Sequence, residues 1–138
     1  MQCLHSYEIA VGNSGYSRIF EFNIKKLLAF IQANPTRFPV EMIQISALPF
    51  QGSGESLNEE TIKTAILSNP IVLAEISPGR FNVIDGNHRT ERARREGAGT
   101  VLAYRVAAEQ HVPFMKTVRG YEAYVKYWNQ KLKEAAEP

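Results

Sequence analysis

The sequence has little of several things, and each scarcity removes a class of explanation. One cysteine, Cys3, stands in 138 residues. A lone thiol cannot build a disulfide framework within a chain, and a reducing, cytoplasmic setting is expected. His5, His88 and His111 are the three histidines, and they share no ligand spacing with one another or with Cys3, so a metal held by the protein alone is not expected. No stretch approaches the roughly 18 apolar residues that a membrane span requires. The opening Met1 to Glu8 has no apolar run of signal-peptide length either, so no membrane partner is expected. Neither an internal repeat nor a low-complexity tract is present. The net charge is +2, too small to argue for a nucleic-acid partner by itself.

What is present is an ordinary globular composition, 44% hydrophobic and 22% charged, in a length that suits one domain. The charge is unevenly placed. Residues 80–105 hold six arginines against Asp85, Glu91 and Glu96, whereas residues 1–79 hold five basic and seven acidic side chains. The basic character gathers around one stretch, Phe81-Asn-Val-Ile-Asp-Gly-Asn-His-Arg-Thr90. Phe81, Val83 and Ile84 are strand formers. Asn87 to Glu96 contains no Gly or Pro and reads as a helix that Gly97 ends. Gly86 therefore sits where a strand turns into a helix. The first N–H groups of such a helix carry about half a positive charge and form a ready anion site. Arg89 adds a planar fork suited to phosphate oxygens, and Asn87 and His88 add donors in the same turn. A plain capped helix with solvated charges is the bland alternative.

Asp85-Gly-Asn-His-Arg89 resembles the Gly-x-x-Arg box of the ParB/sulfiredoxin fold, in which the box binds nucleotide phosphates. Leu57 to Leu67 is similar to that fold's first helix, Asn69-Pro-Ile-Val-Leu73 to its proline-led strand, and residues 100–106 to the strand that follows the box helix. The resemblance covers about residues 42–106. It implies an α+β (mixed α/β) domain, here with an N-terminal hairpin and helix extension over 1–40 and a C-terminal helix over about 118–134. It also implies a nucleotide di- or triphosphate as ligand, with Mg²⁺ as a companion ion, held by Gly86, Asn87, His88 and Arg89. Two departures limit what carries over. Sulfiredoxin has its catalytic cysteine directly after the box glycine, and Asn87 stands there instead, which speaks against sulfinic-acid reduction. Partition proteins carry an arginine in the loop before the first helix. Here that loop, Pro49 to Glu55, has no basic residue, which speaks against partition-type switching.

In chain order, Tyr7 to Val11 and Tyr16 to Phe22 read as the arms of a hairpin around Gly12-Asn-Ser-Gly15. No Lys-Ser/Thr pair follows those glycines, so they do not form a phosphate loop. Asn23 caps a helix whose inner face is Ile24, Leu27, Leu28 and Ile31. Val40 to Leu48 reads as a strand. Ser56 and Asn58 compete to cap the next helix, with Ile62, Ala65 and Ile66 turned inward. Ile71 to Ile76, nearly all apolar, reads as a central strand. In the box helix, Thr90, Ala93 and Gly97 form a small inner face, and Glu91–Arg95 and Arg92–Glu96 are spaced to pair on its outside. His111 is expected at the surface of a loop. The stripe Tyr121, Tyr124, Val125, Trp128 and Leu132 is expected to pack on the domain, with a homodimer or partner surface as the sharper alternative.

Two functions compete. In the first, the box holds a polyphosphate and the facing loop completes a site for phosphate transfer or for hydrolysis of nucleotide or nucleic acid. The loop offers Glu55 as acid or base and Gln51 as a contact, and Asp85 at the strand end is a candidate to hold a metal ion or an acceptor hydroxyl. A free-serine kinase of the resembled superfamily has a similar box, which makes a small hydroxyl compound conceivable as acceptor. In the second, the arginine-rich helix binds a DNA backbone or a partner protein without turnover.

Overall fold

The computed structural model describes residues 4–10, 16–48 and 57–136. It begins with strands β1 (Leu4–Ala10) and β2 (Tyr16–Asn23), which pair antiparallel, as the hairpin reading expected. Helix α1 (Ile24–Ala33) follows at once, because the Asn23 side chain accepts the Lys26 N–H at 3.1 Å and closes its first turn. Ile24, Leu27 and Ile31 are buried, at the spacing that puts them on one helical face.

Strand β3 (Glu41–Gln44) is shorter than the expected 40–48. At Ile45 the chain turns into a 3-10 segment, Ile45–Ala47, and Met42 is 71% exposed. The cause is position: β3 is an edge strand with β6 as its single neighbour. Helix α2 (Glu59–Thr64) starts at Asn58, whose side chain accepts the Thr61 N–H at 3.0 Å. The competing cap, Ser56, lies outside the described residues. α2 ends at Thr64, so Ile66 stands beyond it and is 59% exposed, against expectation; Ile62 alone is buried from this helix.

Strands β4 (Ile71–Ser77), β5 (Arg80–Asp85) and β6 (Thr100–Val106) complete a four-stranded mixed sheet in the order β3-β6-β4-β5. β4 runs parallel to β6 and antiparallel to β5. Helix α3 (Asn87–Arg95) crosses from β5 to β6, which is the connection that parallel pairing of β4 and β6 needs. The chain ends in α4 (Ala108–His111), a 3-10 turn at Val112–Phe114, and α5 (Val118–Ala136). The class is mixed α/β, as expected.

Alternation along β4 explains why nearly all of it is apolar. Ile71 and Leu73 point to one face, where Val83, Val101, Ala103 and the α3 residue Ala93 join them. Val72, Ala74 and Ile76 point to the other, where Phe20, Phe22, Ile24, Leu27, Ile31, Phe38 and Tyr124 cover them. A strand covered on both faces has few wet positions, and in β4 Glu75 is the partly exposed one. The N-terminal hairpin with α1, together with α5, is thus a layer on the sheet. The aromatic stripe of α5 is split: Tyr124 is buried and touches Phe20 and Trp128, whereas Tyr121 and Leu132 remain exposed. No described helix is long and apolar enough to cross a membrane.

Candidate functional site

β5 delivers Asp85 to its end through a register shift. Val72 pairs with Asp85 but Leu73 pairs with Val83, leaving Ile84 as an extra residue. Such a bulge re-aims the side chains beside it. Gly86 follows at φ 108°, in the left-handed region. A Cβ there would also collide with the Ile71 side chain, standing 2.8 Å from its Cβ and 2.9 Å from the Arg89 Nη2. Both the backbone angle and the packing therefore demand glycine.

Gly86 opens α3. Its carbonyl accepts the Thr90 N–H at 2.9 Å and the Thr90 hydroxyl at 3.0 Å. The N–H groups of Asn87, His88 and Arg89 precede that first bond and have no acceptor within the helix. No side chain caps this end, in contrast to α1 and α2, where Asn23 and Asn58 do so. At the other end Gly97, φ 76°, closes a two-bond cap: Ala98 N–H to Ala93 O at 2.9 Å and Gly97 N–H to Arg94 O at 3.2 Å.

Arg89 lies one turn into α3 and reaches back to Asp85, Nη2 to Oδ2 at 3.0 Å. The two side chains are 19% and 20% exposed, so this is a half-sheltered pair and not a solvated one. It holds the guanidinium beside the helix N-terminus. Two buried polar atoms there have no partner among the described residues: Arg89 Nε, a donor, and Asn87 Oδ1, an acceptor. Leaving such an atom unsatisfied costs roughly 1–3 kcal/mol.

His88 was expected as a donor. Its Nε2 instead accepts the backbone N–H of Asn58 at 3.2 Å, which joins the N-terminal ends of α2 and α3. With Nε2 accepting, the proton of the neutral ring sits on Nδ1, and that is the donor His88 has left. Among the described residues no group of three His, Cys, Asp or Glu side chains could hold a metal ion. The loop residues Gln51 and Glu55 lie outside the described residues.

The outer arginines are committed to carboxylates. Arg95 bonds Glu91 Oε2 at 2.9 Å and reaches Glu59 of α2 at 2.6 Å, Arg94 bonds Glu91, and Arg92 Nε bonds Glu96 at 2.7 Å. The two expected pairs within α3 are present, but the links to α2 were not visible in the sequence. Arg92 Nη1 also donates to the carbonyls of Lys63 at 2.7 Å and Ala65 at 2.6 Å, satisfying the C-terminal end of α2. Hydrogen bonds from Arg95, with help from the adjacent charges, hold the Glu59 and Glu91 carboxyls below the usual range, and the Arg95 guanidinium is raised in turn.

His111 corrects the sequence reading most. It is wholly buried at the end of α4, not on a surface loop, and its Nε2 lies 2.7 Å from the Glu75 carbonyl. Ala107 and Ala108, four and three residues before His111, have helical spacing to it and were the one available signal.

No protein-family profile matches the chain, and no curated protein matches it. Among solved structures, it is similar to the C-terminally truncated chromosome-partitioning protein ParB from Caulobacter crescentus complexed with CTP-gamma-S. The identity is 17% and the TM-score 0.40, over 62% of this chain and 50% of that one. The chain thus spans about half the length of that structure. A likeness this distant assigns neither a family nor a function.

Proposed function

We propose that the junction of β5 and α3 binds the phosphates of a nucleotide di- or triphosphate. The observation that supports this reading is an α3 N-terminus opened by an obligatory glycine, left without a side-chain cap, and flanked by a buried Arg89 Nε that has no described partner. Anion binding would satisfy all of these donors together: the N–H groups of residues 87–89, Arg89 Nε and the remaining His88 Nδ1–H. Asp85 positions Arg89 by their direct bond. The oxygen atoms of Asn87 Oδ1 and Asp85 are of the type Mg²⁺ accepts, and these two residues would hold an ion brought in with the polyphosphate, which neutralises phosphate charge when bound.

For transfer or hydrolysis, a nucleophile must also be oriented or deprotonated. Asp85 at the strand end and Glu55 in the loop before α2 are the residues proposed for that step, with Gln51 as a further contact. The alternative, a non-catalytic module binding a DNA backbone through α3, has less support. Arg89, Arg92, Arg94 and Arg95 are matched by Asp85, Glu96, Glu91 and Glu59, which leaves little excess charge for a polyanion.

The test is a thermal-shift and calorimetric panel of nucleoside mono-, di- and triphosphates with and without Mg²⁺, run on the natural chain and on Arg89→Ala. Losing a charged hydrogen bond is expected to weaken binding by roughly 1.5–3 kcal/mol. Equal stabilisation of both proteins by every nucleotide would remove Arg89 from the site. In Asp85→Asn and Glu55→Gln, an acid–base role requires retained binding with turnover lowered by roughly 10²–10⁴-fold.

A further inference from the structure

His111 stands where β2, β4, α4 and α5 meet, with none of its surface exposed. Its Nε2–H donates to the Glu75 carbonyl, and the Tyr124 hydroxyl donates to the same oxygen at 2.8 Å. The ring packs edge-on against Phe22 of β2 at 5.2 Å and against Tyr124 of α5 at 5.3 Å between centroids. Because Nε2 is the donor, the lone pair of the neutral ring is on Nδ1, and among the described residues that atom has no partner. A second proton would have to go there, placing a charge between two aromatic rings at a wholly buried site.

The surrounding charges offset this only in part. Glu75 faces the ring from β4, but its carboxylate accepts the N–H groups of Gly79 at 2.9 Å and Ala108 at 3.1 Å. From α5 the facing group is the Tyr124 phenol, which burial keeps un-ionised. Glu21, beside Phe22 on β2, accepts the Lys116 N–H through its backbone carbonyl, and Glu109 of α4 and Lys116 are exposed.

We propose that His111 is an acid-operated latch: its neutral ring holds the layer of β2, α1 and α5 on β4, and its protonation releases that layer while β4, β5 and α3 stay together. This device is independent of the phosphate binding proposed above, since α3 packs on the opposite face of the sheet. The contacts divide by face of the sheet. Phe22, Tyr124 and the α1 residues pack with Val72, Ala74, Ile76 and Ile84 on one face, whereas Val83 and Ala93 belong to the cluster on the other. Burial lowers the His111 pKa below its ordinary value of 6.5, partly offset by its bond to the Glu75 carbonyl and by the nearby Glu75 charge. A lowered folded value means that the opened layer takes up the proton first. The layer is therefore latched above pH 6.5 and loosens as pH falls from there toward the folded value. The carboxylates of the α2–α3 network titrate below 4.5, beneath the pH range over which the latch is tested.

The experiment is native-state hydrogen exchange from about pH 7.5 to pH 5, corrected for intrinsic rates, on the natural chain and on His111→Gln. Gln keeps an N–H for the Glu75 carbonyl and does not titrate. In the natural chain, the opening constant of α5 and β2 amides is expected to rise about tenfold per pH unit within the window, one proton being taken up per opening. Amides of α3 and β5 should not follow. Emission of Trp128, which packs 5.9 Å from Tyr124, should change over the same range. His111→Gln should show no pH-dependent opening. If that variant fails to fold, a ring-resonance titration of His111 in the natural chain decides. A His111 that titrates at or above its ordinary value overturns the latch. So does α5 opening that ignores pH, or α3 opening in step with α5.

Discussion

Gly86 and Ile71 approach so closely that a Cβ on the glycine would lie 2.8 Å from the Cβ of the isoleucine. This contact ties the first residue of the central strand to the turn that opens α3. Gly86 also holds φ 108°, and the two constraints are separable by mutation.

Gly86→Ala is expected to lower stability by about 1–3 kcal/mol for the backbone and by a similar amount, about 1–3 kcal/mol, for overpacking against Ile71. Gly79→Ala is the control, since Gly79 has φ 74° but a methyl group there would meet nothing within 4 Å. It should show the backbone cost alone. Urea unfolding midpoints of the two variants check this. Equal losses would mean that Ile71 yields and that packing is not the constraint.

Arg92 and Arg94 have the same residue type on the same helix but different work. Arg92 satisfies two carbonyls at the end of α2, and Arg94 pairs with Glu91 at the surface. Arg92→Ala is expected to cost about 1–2 kcal/mol, as two charge-assisted bonds to backbone oxygens are lost at a partly exposed site. Arg94→Ala should stay within about 0.5 kcal/mol, as exposed ion pairs do. Thermal denaturation of both variants, with amide exchange at α2, separates the two roles. An intact α2 in Arg92→Ala would show that the capping bonds are dispensable.

Acid should weaken the contact between α2 and α3. The Glu59 and Glu91 carboxyls titrate below their ordinary 4.5 in the folded chain, first because of hydrogen bonds from Arg95. Between the folded and unfolded values the unfolded chain binds more protons. Their stabilisation is therefore fully present above pH 4.5 and is lost as pH falls through the folded values. Stability measured by urea from about pH 6 to pH 3 should drop in this range, less steeply in Arg95→Gln and at high salt, which screens exposed pairs. A drop of the same size in Arg95→Gln would place its origin elsewhere.

Where neighbours along the chain set the outcome, the sequence was enough. Asn23 caps α1, Gly97 takes a positive φ after α3, and the nearly all-apolar run at Ile71 marks a strand covered on both faces. These depend on backbone angles and on periodicity, which local residues dictate. The place of the candidate site was legible for the same reason, since Gly86 lies between strand formers and helix formers. What the site's side chains touch was not legible. His88 meets Asn58 from 30 residues away, Arg92 meets Lys63 and Ala65 from 29 and 27, and the His111 ring meets Glu75 from 36. Only the crossing of α3 over the sheet, and the laying of the hairpin, α1 and α5 on its other face, bring those groups together. A histidine after a short apolar turn reads as a surface residue until a second layer closes over it, and an arginine on a polar helix reads as solvated until another helix ends beside it. Burial and long-range partners are properties of how the layers stack, and the tertiary structure decided them.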